Sequence, residues 1–193
     1  MTLPNALTIF RIVLTFVIAG LVLVQEPAAQ VAAFILFSIA ALTDWLDGVI
    51  ARRAKQVSSL GKILDPIADK VLVLVLLLVF AQRGIVPAWA VIVIALRETL
   101  VTGMRLSALQ SKTIIPAAQE GKQKAFAQMA TIVFILADLA ITQWLDVPAW
   151  QSVHAILALI IPWSLYLAVA LTVFSGATFL WANRGVFLHG PSR

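Results

Sequence analysis

The chain contains no cysteine and only two histidines, His154 and His189. The first absence excludes disulfides and thiolate-bound metals. The histidines stand far apart without companion ligands; they read as a polar residue near a helix start and a tail residue. Charge is also scarce. Asp, Glu, Lys and Arg make up 12% of 193 residues, against 62% hydrophobic, and the mean hydropathy is +1.01. A soluble domain of this size cannot hide that much apolar surface, so the composition specifies an integral membrane protein. The apolar stretches are continuous and long rather than alternating, which points to helices and away from a barrel. Also missing are a short apolar run with a small-residue cleavage site, as in a removable signal peptide, any convincing internal repeat, and any separate soluble domain. Residues 1–193 are expected to form one membrane-embedded domain.

Six apolar helices are predicted, over residues 6–24, 30–50, 66–81, 88–109, 121–142 and 150–181. Each of the first five approaches the roughly 20 residues a span needs. The last is too long for one straight span, so Pro162 is expected to kink it or its end to lie at the interface. The expected fold class is therefore all-α and polytopic, with six transmembrane helices. If the N-terminus is inside, so are the second and fourth connections and the C-terminus. These connections and the adjoining helix ends hold nearly all of the fourteen Lys and Arg residues, while the opposite turns hold only Arg83. That bias places the inside at the cytoplasm. The net charge of +5 follows from the same bias or from attraction to anionic head groups. The six tryptophans fall mostly near predicted helix ends, as an interfacial aromatic belt would.

Four aspartates, Asp44, Asp47, Asp65 and Asp69, lie between two greasy segments and account for almost half of the nine acidic residues. Carboxylates at a bilayer are costly and mark function by default. Asp44 and Asp47 are spaced i, i+3 and Asp65 and Asp69 i, i+4, so each pair shares a helix face. Four ionised carboxylates close together repel, and protons or cations must compensate. Oxygen ligands without His or Cys favour Mg²⁺, Mn²⁺ or Ca²⁺ over zinc, and four of them suffice for two ions. The competing account is a pair of salt bridges or a cytoplasmic acidic loop. Gly48 and Ala51 allow close approach to the backbone, by a ligand or by a packed helix. Arg52 suits phosphate, or plain anchoring. The predicted outer half of the bundle carries no acid within its helices, which argues against the different-class alternative, a divalent-cation transporter.

The pattern D-x2-D-G-x2-A-R-x8-G-x3-D-x3-D is complete from Asp44 through Gly48, Ala51, Arg52, Gly61 and Asp65 to Asp69. Eight fixed positions at fixed spacing resemble the signature of the CDP-alcohol phosphotransferases, integral membrane enzymes of phospholipid synthesis. The segments L-P-N-A-L-T-I-F-R-I, R-E-T-L-V-T-G-M-R and G-K-Q-K-A-F-A-Q-M are similar to the branch whose acceptor is glycerol 3-phosphate, and the likeness covers most of residues 3–135. Ala125 departs from that branch, which often has threonine after the second lysine. The resemblance implies a six-helix fold, usually homodimeric, in the cell (inner) membrane, with its cavity open to the cytoplasmic interface. It implies that Asp44, Asp47, Asp65 and Asp69 bind divalent metals, Mg²⁺ or Mn²⁺ and two of them, and that Asp69 is the general base. It implies nucleotide contacts from Asp44, Asp47, Gly48, Ala51 and Arg52, with Gly61 in the same signature. It further implies CDP-diacylglycerol and sn-glycerol 3-phosphate as substrates, CMP as product, membrane lipids as surroundings, and no nucleic acid as partner. A family member using serine, inositol phosphate or phosphatidylglycerol as acceptor is the alternative.

An anionic acceptor needs a second cationic site. Arg97 and Arg105 lie eight residues apart on nearly one helix face; Arg105 and Lys122 flank one cytoplasmic loop, and Lys124 follows. Arginine grips phosphate through parallel donors, so Arg105 and Lys122 are the preferred candidates, with Arg97 and Lys124 behind them. A salt bridge to Glu98 is the competing role for Arg97, and anchoring for Lys124 and Lys112. Asn5, Thr8 and Arg11 are candidates to line the nucleotide end, against helix capping and snorkelling.

Overall fold

In the computed structural model the backbone is described for residues 3–54, 61–110, 120–144 and 146–188, and side chains for residues 9–43, 70–104, 121–142, 144 and 146–184. All described elements are helical: α1 Leu3–Val24, α2 Pro27–Ala54, α3 Gly61–Gln82, α4 Ala88–Gln110, α5 Glu120–Ile141, a 3-10 turn Thr142–Trp144, and α6 Pro148–Leu188. Several boundaries differ from expectation. Pro27, expected in a turn, opens α2, where its missing N–H costs nothing. The third helix starts at Gly61, not Pro66, so Asp65 lies inside α3. The last helix runs 41 residues without a break at Pro162. At 1.5 Å per residue α6 is about 60 Å long, about twice the hydrocarbon thickness of a bilayer.

Packing closes the six helices into a ring in the order α1, α2, α5, α6, α4, α3, with α3 and α5 also touching across it. Short connections make neighbours in sequence antiparallel. The starts of α1, α3 and α5 and the ends of α2, α4 and α6 therefore share one end of the bundle. The remainder of the interior is dry: Val22, Phe37, Leu76, Leu77, Phe80, Ile94, Ile132, Ile135 and Leu136 are fully buried. The outside is equally apolar, with Phe16, Ile39, Leu78, Leu96, Phe126 and Trp163 exposed on the six successive helices. Greasy side chains outside and ionisable ones inside suit lipid as the solvent. Among the described residues, Gly121–Ile141 and Pro148–Arg184 are long and apolar enough to cross a membrane, and Ile9–Val24, Pro27–Thr43 and Lys70–Gln82 form shorter apolar helices. In α4 the apolar stripe Trp89, Ile92, Leu96 and Leu100 faces outward while Glu98 is buried, so its mean hydropathy understates its lipid-facing side.

The end opposite the aspartates is pinned by one arginine. Gly84, at φ 72°, ends α3: its N–H reaches Ala81 O at 3.0 Å and that of Ile85 reaches Phe80 O at 2.9 Å. This left-handed cap favours glycine and presents Arg83 to its neighbours. Arg83 Nη1 donates to Gln30 Oε1 at 2.9 Å and to Val22 O at 3.3 Å. Gln30 Nε2 in turn donates to Leu21 O and Val22 O, both at 3.2 Å. Three helix ends are thus tied through two side chains. Burial lowers the Arg83 pKa, which still leaves a guanidinium charged. Replacing Arg83 with Ala strands buried Gln30 and is expected to cost about 1–3 kcal/mol, read as a lower melting temperature in detergent. The double variant with Gln30→Ala should lose less than the sum of the two single losses, because the pair shares one network.

Candidate functional site

The signature residues occupy the shared end of the bundle. On α2, Asp44, Asp47 and Ala51 recur at i, i+3 and i+7, with Gly48 and Arg52 alongside; on α3, Gly61, Asp65 and Asp69 recur at i, i+4 and i+8. Because α2 continues to Ala54, Ala51 and Arg52 are helical rather than in a connection. The side chains of Asp44, Asp47, Gly48, Ala51, Arg52, Gly61, Asp65 and Asp69 lie outside the described residues, as do those of Asn5, Thr8 and Arg105. Among the described residues no group of three or more His, Asp or Glu is placed to hold a metal. The donor chemistry of the quartet fits a hard divalent cation: two helices each carry a pair of oxygen ligands at one-turn spacing, with no softer ligand in the signature.

Beside this end the described side chains form a buried polar cluster. Glu98 of α4 sits between two cations: Lys124 of α5 donates to its Oε1, and Arg97 Nη1 lies 3.2 Å from the same oxygen. Arg97 Nη2 also donates to Ser175 Oγ on α6 at 3.0 Å. One residue past Asp69, Lys70 of α3 donates to Thr102 Oγ1, and that hydroxyl donates to Glu98 O at 2.7 Å. Gln128 Nε2 reaches Thr172 Oγ1 at 3.0 Å, tying α5 to α6 one turn further in. Glu98, Lys124, Gln128, Thr172 and Ser175 are all nearly inaccessible. Among the described residues one carboxylate faces two cations here, an arrangement that in a low dielectric favours a further anion.

The four acceptor candidates therefore separate. Arg97 and Lys124 converge on Glu98; the Arg97–Glu98 bridge expected as a competing role is present, but it shares Arg97 with Ser175. Lys122 lies two residues from Lys124 and is exposed, turned instead into a groove of about 590 Å³ between α5 and α6, with Phe126, Ala130, Phe134, Leu167 and Leu171. Arg105 lies two turns beyond Arg97 on α4. Arg11, a candidate to snorkel or to face a polar interior, is buried, which selects the interior. Sequence reasoning missed Glu98 as the shared partner, and missed Lys70, Thr102, Gln128, Thr172, Ser175 and Gly176. The R-E dipeptide and the D-K at Asp69 and Lys70 were the available signals; for Ser175 and Gly176, two small residues in an apolar run, there was none.

The other end holds a correction. An acid does occur inside the outer half: Asp138, near the end of α5, lies with Oδ1 2.6 Å from His154 Nδ1 near the start of α6. His154, expected merely as a polar residue near a helix start, partners this carboxylate. The pair does not extend toward the quartet, because Ile132, Ile135 and Leu136 of the dry core intervene along α5. Trp144 and Trp150 pack together nearby, and Trp181 lies under the Arg184 guanidinium at 4.3 Å toward the other end, both as a belt requires; Trp163 instead meets Tyr166 well inside α6.

A helical bundle with an acidic, lipid-bounded signature at one end defines a class, and the chain belongs to the CDP-alcohol phosphatidyltransferase family, whose model matches residues 1–174. Within it, the chain is 36% identical over 168 residues to the CDP-diacylglycerol–glycerol-3-phosphate 3-phosphatidyltransferase of Bacillus subtilis (strain 168), covering 78% of this chain and 87% of the relative. The protein of the same name from Haemophilus influenzae is 32% identical over 194 residues, covering 96% and 95%; that from Blochmanniella floridana is 30% identical over 192 residues, covering 97% and 93%.

Glu98→Ala should strand buried Lys124 and remove one of the two anchors of Arg97, destabilising the protein by about 3–5 kcal/mol, seen as a large drop in melting temperature. Adding Lys124→Met should recover part of that loss, because one stranded charge is removed with its partner. Simple additivity of the two changes would show that Glu98 and Lys124 act independently.

Proposed function

We infer that this chain transfers the phosphatidyl group of CDP-diacylglycerol to sn-glycerol 3-phosphate, releasing CMP, as a transferase of phospholipid synthesis. The observation that carries this reading is the complete eight-position signature at one end of α2 and α3, beside a buried cluster that, among the described residues, sets two cations against one carboxylate. Relatives bearing this activity in their names match nearly the whole chain. The protein acts as one multi-pass domain of six spans in the cell membrane, with the site at the cytoplasmic face where Lys and Arg concentrate; homodimeric assembly rests on the family resemblance.

Asp44, Asp47, Gly48, Ala51 and Arg52 bind the cytidine diphosphate end of the donor, with Gly61, Asn5 and Thr8 beside it. Asp44, Asp47, Asp65 and Asp69 hold two divalent ions, Mg²⁺ or Mn²⁺, which when bound offset the charge of the pyrophosphate and of the departing CMP. Asp69 accepts the proton of the primary hydroxyl of glycerol 3-phosphate. That oxygen forms a bond to the phosphorus bearing the diacylglycerol. The bond from the same phosphorus to the CMP oxygen breaks, and CMP leaves with the electron pair. Arg97, Arg105 and Lys124 attract the acceptor's phosphate from the α4–α5 side. The groove position of Lys122 makes it the weakest of the four for that role.

Purified protein given CDP-diacylglycerol, Mg²⁺ and each alcohol in turn should release CMP with glycerol 3-phosphate; product with serine, inositol phosphate or phosphatidylglycerol alone would refute the assignment. Asp69→Asn should lose turnover by at least about 10²-fold while still binding the lipid nucleotide. Chelation of divalent ions should stop the reaction, and added Mg²⁺ or Mn²⁺ should restore it. Arg105→Ala should raise KM for the acceptor; an unchanged KM removes Arg105 from the phosphate pocket.

A further inference from the structure

We propose that Ser175 and Gly176 of α6 are positioning residues that aim the Arg97 guanidinium at the acceptor's phosphate. The inference rests on the assignment of Arg97 to that phosphate, and both residues lie beyond the stretch matched by the family model.

Arg97 reaches from α4 across to α6, and its guanidinium is pinned at both terminal nitrogens, Nη1 by Glu98 at 3.2 Å and Nη2 by Ser175 Oγ at 3.0 Å. Two anchors on a rigid plane fix its tilt as well as its position. The Ser175 hydroxyl donates its proton to Thr172 O at 3.2 Å, which leaves its lone pairs for Arg97. Arg97 Nε is buried without a partner, so the side chain gives up one hydrogen bond to hold this pose. Gly176 makes the pose possible. A Cβ there would sit 3.0 Å from Arg97 Cγ and 3.8 Å from Nε, the first inside ordinary carbon–carbon contact. The other glycines with described surroundings have open space at that position.

Helix attachment alone does not account for these contacts. Thr172, one turn away, already fixes the α5–α6 register through Gln128. A guanidinium held before the acceptor arrives loses less freedom on binding it, which appears as a lower KM rather than a faster chemical step.

Gly176→Ala separates positioning from stability, because alanine favours a helix over glycine. This variant is expected to melt at or above the parent temperature while KM for glycerol 3-phosphate rises about fivefold or more. Ser175→Ala should raise that KM about tenfold, the loss of roughly one charge-assisted hydrogen bond. In both variants kcat and KM for CDP-diacylglycerol should stay within about twofold of the parent. Added to Arg97→Ala, neither change should raise the acceptor KM further, since each acts through Arg97. The proposal is overturned by a folded Gly176→Ala protein with unchanged acceptor KM, or by a Ser175→Ala effect that persists in full on the Arg97→Ala background. Should Arg97→Ala raise the acceptor KM while neither α6 variant does, the positioning role alone falls. Should Arg97→Ala leave it unchanged, the assignment of Arg97 falls first.

Discussion

Glu98 holds its carboxylate between Lys124 and Arg97 in the interior of a bundle whose outer surface is hydrocarbon-like. Three of the six helices converge on that contact: α4 supplies the acid and the arginine, α5 the lysine, and α6 the serine that holds the arginine's other nitrogen. Burying these groups carries a desolvation cost that only close pairing offsets. The cluster is thus a strong constraint on how α4, α5 and α6 pack, and among the described residues it sets two cations against one carboxylate.

The fold was largely legible because lipid imposes a simple rule. Apolar runs of about 20 residues had to become helices, and four of the six boundary pairs came within four residues. The misses have local causes. Pro66 looked like a helix start, but α3 accommodates it in the second turn and begins at Gly61. The last helix holds Pro162 within its length and runs on to Leu188, past the expected end at residue 181. Of the site, the signature was legible at once because carboxylates are so rare in this composition. Its partners were not. Glu98 read as a local mate for Arg97, and nothing in the sequence put Lys124, twenty-six residues on, at the same oxygen. Lys122 was preferred to Lys124, yet two residues along a helix is more than half a turn, and that rotation turns Lys122 into the outer groove and Lys124 into the core.

Polarity is divided along the bundle axis. Toward the signature end the interior carries Arg11, Thr15, Glu98, Lys124, Gln128 and Thr172; beyond it the buried side chains are mostly aliphatic and aromatic, with Gln30 buried at the far end. Among the described residues the ionisable groups of α4 and α5 at Glu98 and Lys124 are separated from Asp138 by the apolar side chains of Ile132, Ile135 and Leu136.

The knot of Arg83 and Gln30 adds a mechanical asymmetry. It ties the ends of α1, α2 and α3 at the far side of the dry core, where short turns already restrain the chain. Helices fastened at one end splay like the legs of a tripod: the amplitude grows with distance from the fastening. A change in the tilt of α1, α2 or α3 therefore pivots about Arg83 and Gln30, and the two turns beside them keep their places.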